Sequence, residues 1–348
     1  MELLWYVGID HGATHTRGRL IDPRTGKLIK KLFDIKNEDV KNNLDLLQKV
    51  GNPLIGLAPP GMVKIGVCAA GVVDEIGLKI VFSANLKNIR GEVTFPWELK
   101  REGYDVSLTN DMRGATLGEY RFGQGKNVRD IAVATYSSGY NFSVCSDGLL
   151  TGRVIEAGHQ AYKPGSGVLC GCGGKDHLEV SVSGEGAKRE AWKALSGATY
   201  HTILEEVVKD EDPEEVKKDF ERLKSDPDYR THMRQKIIAK HVYAAWRRKP
   251  NEGPQKDILD MQAEAIAHSF GQMVSTHSPL NMIICMGSQT NDWDPLFTTA
   301  IQMYKSAPVN YHHPNLQSPE IVKSEDPDIG AKGSIVDFMQ KYDITLSA

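Results

Sequence analysis

Short, nearly continuous apolar runs cover residues 3–9, 65–73, 106–108, 131–136 and 280–286, each closed by Gly, Asp, Asn or Ser. Runs of that length with such ends predict buried strands. The first run leads into a tip carrying Asp10, Gly12 and Thr14 and back into a second strand over 18–22, a hairpin. The run at 131–136 turns through Ser137, Ser138 and Gly139 into a returning strand that ends at the Asp147-Gly148 turn. Between them, the strand ending in Asn110 and Asp111 runs straight into a helix-like segment reaching Glu119. After Ser183 and Gly184 the pattern changes. Apolar positions recur at helical spacing among many Glu and Lys residues to about residue 250, most simply as amphipathic surface helices, with a cap over a cleft or a subunit contact as the alternatives. A helix over 257–277 and a strand ending at Gly287 follow.

The 348 residues suffice for two domains with substantial cores. A formal net charge of −3, with both signs interspersed, gives no basic field and argues against nucleic acid as a partner. No apolar stretch is long enough to span a membrane, and a core-like strand follows Met1 almost at once. The expectation is therefore a cytoplasmic protein without signal peptide or membrane partner. Five cysteines, an odd number, do not suggest a disulfide scaffold. Cys68, Cys145 and Cys285 fall in apolar runs and are expected to be buried thiols.

The remaining two cysteines carry the densest chemistry. His159, Cys170, Cys172 and His177 supply two imidazoles and two thiols in a glycine-rich stretch flanked by Glu156 and Glu179. Zn²⁺ takes four such ligands in a tetrahedron, so a structural zinc is expected, against the plainer reading of a glycine turn with incidental cysteines. The glutamates exceed what a zinc site needs. At the first hairpin tip, Asp10 can hold Mg²⁺ and the small residues can admit phosphate oxygens, although such turns also occur with no ligand. Asp111, at a strand end and a helix start, stands where α/β sheets place ligands and could serve as a base; Asn110 and Asp111 could equally be helix caps. The neighbouring His312 and His313 would point opposite ways on an extended chain and receive no role.

Taken in order, Asp10-x-Gly12-x-Thr14, Gly71-x-x-Asp74, Ala84-Asn85-Leu86, Asn110-Asp111, Asp147-Gly148, Glu156-x-Gly158-His159, Cys170-x-Cys172-Gly173, Ser183-Gly184 and Ile329-Gly330-Ala331 resemble the ROK family of sugar kinases and sugar-responsive repressors. The Glu-x-Gly-His and Cys-x-Cys-Gly pair is the specific part; the rest is shared with the wider actin-like, hexokinase-like ATPases. The resemblance implies an α/β fold of two actin-like (ribonuclease H-like) domains around a central cleft, with an extra helical segment over about 195–250. The first domain would span 1–112, with the C-terminal helix returning to it, and the second 113–348. The implied activity is ATP- and Mg²⁺-dependent phosphorylation of a hexose or amino sugar, the partners being sugar and ATP in a homodimer or homotetramer. Asp111 would be the general base, Asp10 the Mg²⁺ holder, and Gly12, Thr14, Ser138 and Gly139 the phosphate lining. Gly287 falls in the adenosine segment. Asn110, Glu156, His159 and Glu179 would bind sugar hydroxyls, His159 with one ring nitrogen on Zn²⁺ and the other near the sugar.

Four departures from the family pattern stand out. His177 replaces a third cysteine, Ala70 a proline, and Ser288 the second of paired glycines. The second phosphate loop keeps Gly139 alone of its usual glycine string, and Tyr140 and Phe142 could crowd the backbone there. That last change motivates a rival reading, a non-catalytic sugar- or nucleotide-binding regulator lacking a DNA-binding domain.

Overall fold

The computed structural model describes residues 4–12, 14–82, 89, 91–152, 156–196, 200–211, 214–250, 252–277, 279–306 and 318–344. The motif at residues 84–86 and the histidine pair at 312 and 313 lie outside them.

The first half builds strands β1 (Trp5–His11), β2 (His15–Ile21), β3 (Leu28–Lys36), β4 (Val63–Ala69), β5 (Val72–Asp74), β6 (Lys79–Phe82) and β7 (Asp105–Asn110), with helices α1 (Asn43–Ile55), α2 (Phe95–Arg101) and α3 (Asp111–Phe122). Its main sheet runs β3-β2-β1-β4-β7, an antiparallel hairpin meander followed by strands parallel to β1. Alternation in β1 sends Val7 and Ile9 into a core with Leu46, Ile65, Val67 and Phe95. The other face, at Gly8 and Gly66, is bare enough for a helix backbone to lie directly on it.

The second half repeats the design. Strands β8 (Asp130–Tyr136), β9 (Tyr140–Ser146), β10 (Leu149–Leu150), β11 (Met282–Met286) and β12 (Glu320–Lys323) form the sheet β10-β9-β8-β11-β12, again a hairpin followed by parallel strands. The architecture is thus α/β, with two sheets of related topology. Around the second sheet lie α4 (Glu179–Val182), α5 (Gly184–Ala194), α6 (Thr202–Glu211), α7 (Val216–Ser225), α8 (Pro227–Gln235), α9 (Ala239–Arg248), α10 (Pro254–Thr276) and α11 (Thr298–Ser306). The expectation of plain surface helices over 195–250 needs correction. Ile203, Val207, Leu223, Met233, Val242 and Tyr243 are buried in one core with Ile266 and Phe270 of α10, so this segment is an integral layer of the second half.

The last helix, α12 (Ile329–Lys341), returns to the first sheet and packs on β1, β4 and β7. It also crosses α3, which itself packs on β8 and β9, so the α3–α12 pair joins the two sheets. The crossing is made by backbone. A Cβ on Gly333 would come within 1.6 Å of the Gly114 carbonyl oxygen, and one on Gly118 within 2.3 Å of that of Ile329. Among the described residues, no helix is long and apolar enough to cross a membrane.

Candidate active site

Asp111 is the first residue of α3, and the amide of Asn110 caps that helix by accepting from the Met112 N–H at 3.0 Å. The same amide donates to the Gly71 carbonyl at 3.1 Å, so Asn110 is a cap and a tie between loops, with one N–H to spare. Asp111 accepts from the Met112 N–H at 2.9 Å. Desolvation, then the charge of Asp10, lifts its carboxyl from 3.8 to about 7, with Glu156 adding to the effect.

Asp10 lies opposite Arg17 in the β1–β2 hairpin, and Cys68 is its parallel neighbour on β4. Arg17 Nη1 is 3.9 Å from one carboxylate oxygen and Cys68 Sγ 3.6 Å from the other. Burial raises the Asp10 pKa and Arg17 partly offsets it. Gly330, at the start of α12, lets the backbone approach this carboxylate, since a Cβ there would meet it at 3.2–3.3 Å. At the tip, the Gly12 N–H bonds to the His15 carbonyl, and the Thr14 hydroxyl is exposed beside His15.

The zinc candidates are brought together. His159 Nδ1 is 3.6 Å from Cys170 Sγ, His177 Nδ1 is 3.3 Å from Cys172 Sγ, and all four ligand atoms lie within 4.8 Å of one another. Zinc–ligand bonds of about 2.0–2.3 Å set tetrahedral ligand atoms roughly 3.3–3.8 Å apart. The donor set therefore fits Zn²⁺ with a small contraction, and four protein ligands leave no open position. Protein bonds already shape the loop: Cys170 and Gly174 pair through N–H to carbonyl at 2.8 Å, and Asp176 accepts from Gly165, Ser166 and Val168.

The two glutamates flank this loop, and the charge of Glu156 reaches Asp111. Glu156 is half exposed, with a carboxylate oxygen 3.8 Å from His159 Nε2, the ring nitrogen turned away from the thiol. Burial raises its pKa, His159 opposes that, and Glu179 adds to it. Glu179 accepts from the Tyr140 N–H at 3.2 Å and from the Cys170 thiol at 3.5 Å. Gly139 packs against it, as a Cβ there would stand 2.7 Å from its carboxylate.

The feared crowding at Ser137–Gly139 does not occur. Tyr140 and Phe142 are buried in the second core, with Tyr140 tilted against Tyr136 at 5.2 Å between ring centroids. Strand alternation sends the aromatic rings inward. Beside this turn opens a cavity of about 720 Å³, edged by Ser138 and Ser288 on one side and by Asp210, His241 and Arg247 of α6 and α9 on the other. Gly287, at φ +97° just before Ser288, has to be glycine, because a Cβ would stand 2.5 Å from the Tyr136 carbonyl oxygen. Beneath it, Gln289 donates to the carbonyls of Ser137 at 3.2 Å and Val182 at 2.9 Å, and the Tyr243 hydroxyl lies within 2.6 and 3.0 Å of the Gln262 and Gln289 side-chain oxygens.

Sequence reasoning missed Arg17, Cys68, the α6 and α9 lining and the buried glutamines. Gln262 offered a signal, a polar residue on the apolar face of α10.

Known proteins resemble this chain in sequence and in fold. The chain is 29% identical over 213 residues to the glucokinase of Thermotoga maritima, an alignment covering 59% of this chain and 64% of that protein. It is 31% identical over 147 residues to the N-acetylmannosamine kinase of Citrobacter koseri, covering 40% and 49%. The chain thus spans about half to just under two thirds of these curated relatives. In fold it is similar to a ROK family glucokinase from Streptomyces griseus solved with glucose and AMPPNP, with a TM-score of 0.71 and 20% identity over 97% of this chain and 99% of that one. The ROK family's sequence profile matches residues 6–225, well over half of the chain, and the protein belongs to the ROK family.

Proposed function

We propose that this protein is an ATP- and Mg²⁺-dependent kinase of a hexose or amino sugar, with Asp111 as general base and a structural zinc behind the sugar site. The observation that carries the reading is Asp111 itself: a carboxylate at the start of α3 with its pKa near 7, raised by burial and by the charges of Asp10 and Glu156. A base of that strength can take a proton from a sugar hydroxyl near neutral pH. As the hydroxyl oxygen attacks the γ-phosphorus, the O–P bond forms, the bridge to the β-phosphate breaks, and the proton rests on Asp111 while ADP leaves. Mg²⁺, when bound, would neutralise phosphate charge, and Asp10 is the carboxylate suited to hold it.

Glu156, Glu179, His159 Nε2 and the spare N–H of Asn110 offer acceptors and donors for sugar hydroxyls. Gly12, Thr14, Ser138 and Gly139 would face the phosphates, and the cavity beyond Ser138 and Ser288 would take the nucleoside. That the names of two similar proteins refer to glucose and N-acetylmannosamine supports the substrate class. The competing reading, a sugar- or nucleotide-binding protein without phosphoryl transfer, draws on the single glycine left in the second turn.

The deciding experiment is ADP release with Mg·ATP over a panel of hexoses and N-acetylhexosamines, with Asp111→Asn as control. Sugar-dependent turnover absent from the control supports the kinase. Silence across the panel with sugar still bound favours the competing reading.

A further inference from the structure

The first hairpin is tied from below by side chains outside the expected site. His11 Nδ1 is 2.6 Å from the Thr16 hydroxyl, Thr16 donates to Asn37 Oδ1 at 2.7 Å, and Asn37 Nδ2 donates to the Gly12 carbonyl at 2.8 Å. The Asn37 backbone N–H also donates to the Thr14 carbonyl at 2.8 Å. All three side chains are buried.

The direction of every proton in this chain is determined. The Gly12 carbonyl can only accept, which fixes the Asn37 amide with its nitrogen toward Gly12 and its oxygen toward Thr16. Thr16 has one proton and gives it to that oxygen, so it must accept from His11, whose Nδ1 therefore carries hydrogen. His11 Nε2 meets no hydrogen-bonding group among the described residues, and the ring packs edge-on against Phe95 at 5.6 Å. Burial lowers the His11 pKa to about 4, consistent with a neutral ring throughout the physiological range. A histidine follows Val7 and Ile9 on the core face of β1, where an aliphatic residue would satisfy packing alone.

We infer that His11, Thr16 and Asn37 form a positioning relay that presents the first hairpin tip to the donor's phosphates. A trans peptide directs its N–H away from its own carbonyl. Anchoring the Gly12 and Thr14 carbonyls to Asn37 fixes two peptide planes at the tip, so that binding does not have to order them. Bonds passed in one direction polarise one another, which stiffens the tip further. The inference rests on the reading of this hairpin as a phosphate loop.

The test is calorimetric titration of Mg·ADP into wild-type, Thr16→Val, Thr16→Ser and Asn37→Ser proteins, with thermal midpoints measured alongside. Valine matches threonine in shape and breaks the relay. Serine at 16 keeps the hydroxyl, and serine at 37 is too short to reach Gly12 and adds no charge. The dissociation constant should rise roughly tenfold in Thr16→Val and Asn37→Ser, and Thr16→Ser should stay within about threefold of wild type. A merely structural role would lower the midpoints and leave nucleotide affinity unchanged, and that result overturns the relay. Should Thr16→Val fail to fold, Asn37→Ser decides alone. A wild-type protein that binds no Mg·ADP overturns the phosphate-loop reading and the relay with it, whereas wild-type binding with unaltered variants overturns the relay only.

Discussion

The two hairpin turns, one in each sheet, are fastened by different means. The first hangs on the buried relay from His11 through Thr16 to Asn37, all within the first half of the chain. The second is fastened by other elements: Ser137 accepts from the Gly184 N–H at 2.9 Å and from Gln289, while the N–H of Tyr140 is held by Glu179. Glu179 also accepts from the Cys170 thiol, so the second turn shares a residue with the His/Cys loop and, among the described residues, the first does not. Disturbing the metal should therefore reach the second turn and the sugar groups, and spare the first.

The largest effect should come at Asp111, the base proposed above. Asp111→Asn should cut kcat by about 10²–10⁴-fold while sugar affinity stays within a few-fold, read from steady-state rates and direct sugar titration. An unchanged rate would remove Asp111 as base.

Metal removal separates the turns. Elemental analysis should give about one zinc per chain, and stripping it should weaken sugar binding on the order of 10–100-fold while Mg·ADP binding changes far less. Equal losses on both ligands would dissolve the contrast.

The pH profile comes next. With the Asp111 carboxyl at about 7, kcat/KM should fall roughly tenfold per pH unit below that value and level off above it. Stability should run the other way. The folded pKa lies above the ordinary 3.8, so the folded state holds the proton more tightly than the unfolded chain; the stabilisation is complete below 3.8 and lost as pH rises through 7. Asp111→Asn should accordingly melt a few degrees above wild type at pH 8, with the gap closing toward pH 4.

The smallest effects distinguish two glycines at the second turn. Gly287→Ala forces an unfavourable φ and meets a carbonyl, and should destabilise by about 1–3 kcal/mol in thermal or urea melts. Gly139→Ala meets only the end of the Glu179 side chain, which can move, so it should cost less than about 1 kcal/mol yet weaken sugar binding.

What could be read from the chain divides along a physical line. The strand runs, the hairpins and the clustering of His159, Cys170, Cys172 and His177 were legible because each depends on residues close in sequence. The α6 and α9 lining of the large cavity was not. Amphipathic periodicity tells which face of a helix is buried, and says nothing about which cavity the polar edge will border, as with Asp210 and Arg247. Tyr140 and Phe142 were misjudged because glycine content was weighed without the alternation that turns both rings into the core. His11 was readable, a polar side chain on the apolar face of β1, but Asn37, which its partner Thr16 bonds, is separated from it by two strands.

The α3–α12 crossing bears on how mutational tolerance is interpreted. Gly118 and Gly333 lie against the backbone of the facing helix, whereas a Cβ on Gly114 would meet the Cys68 side chain at 2.6 Å. In a saturation library selected for activity, Gly118 and Gly333 should be depleted about as strongly as Asp111, since any side chain there would wedge apart the helices joining the two sheets. Intolerance to substitution in this protein will map the joint as clearly as the chemistry, and only the accompanying loss of folded protein will tell one from the other.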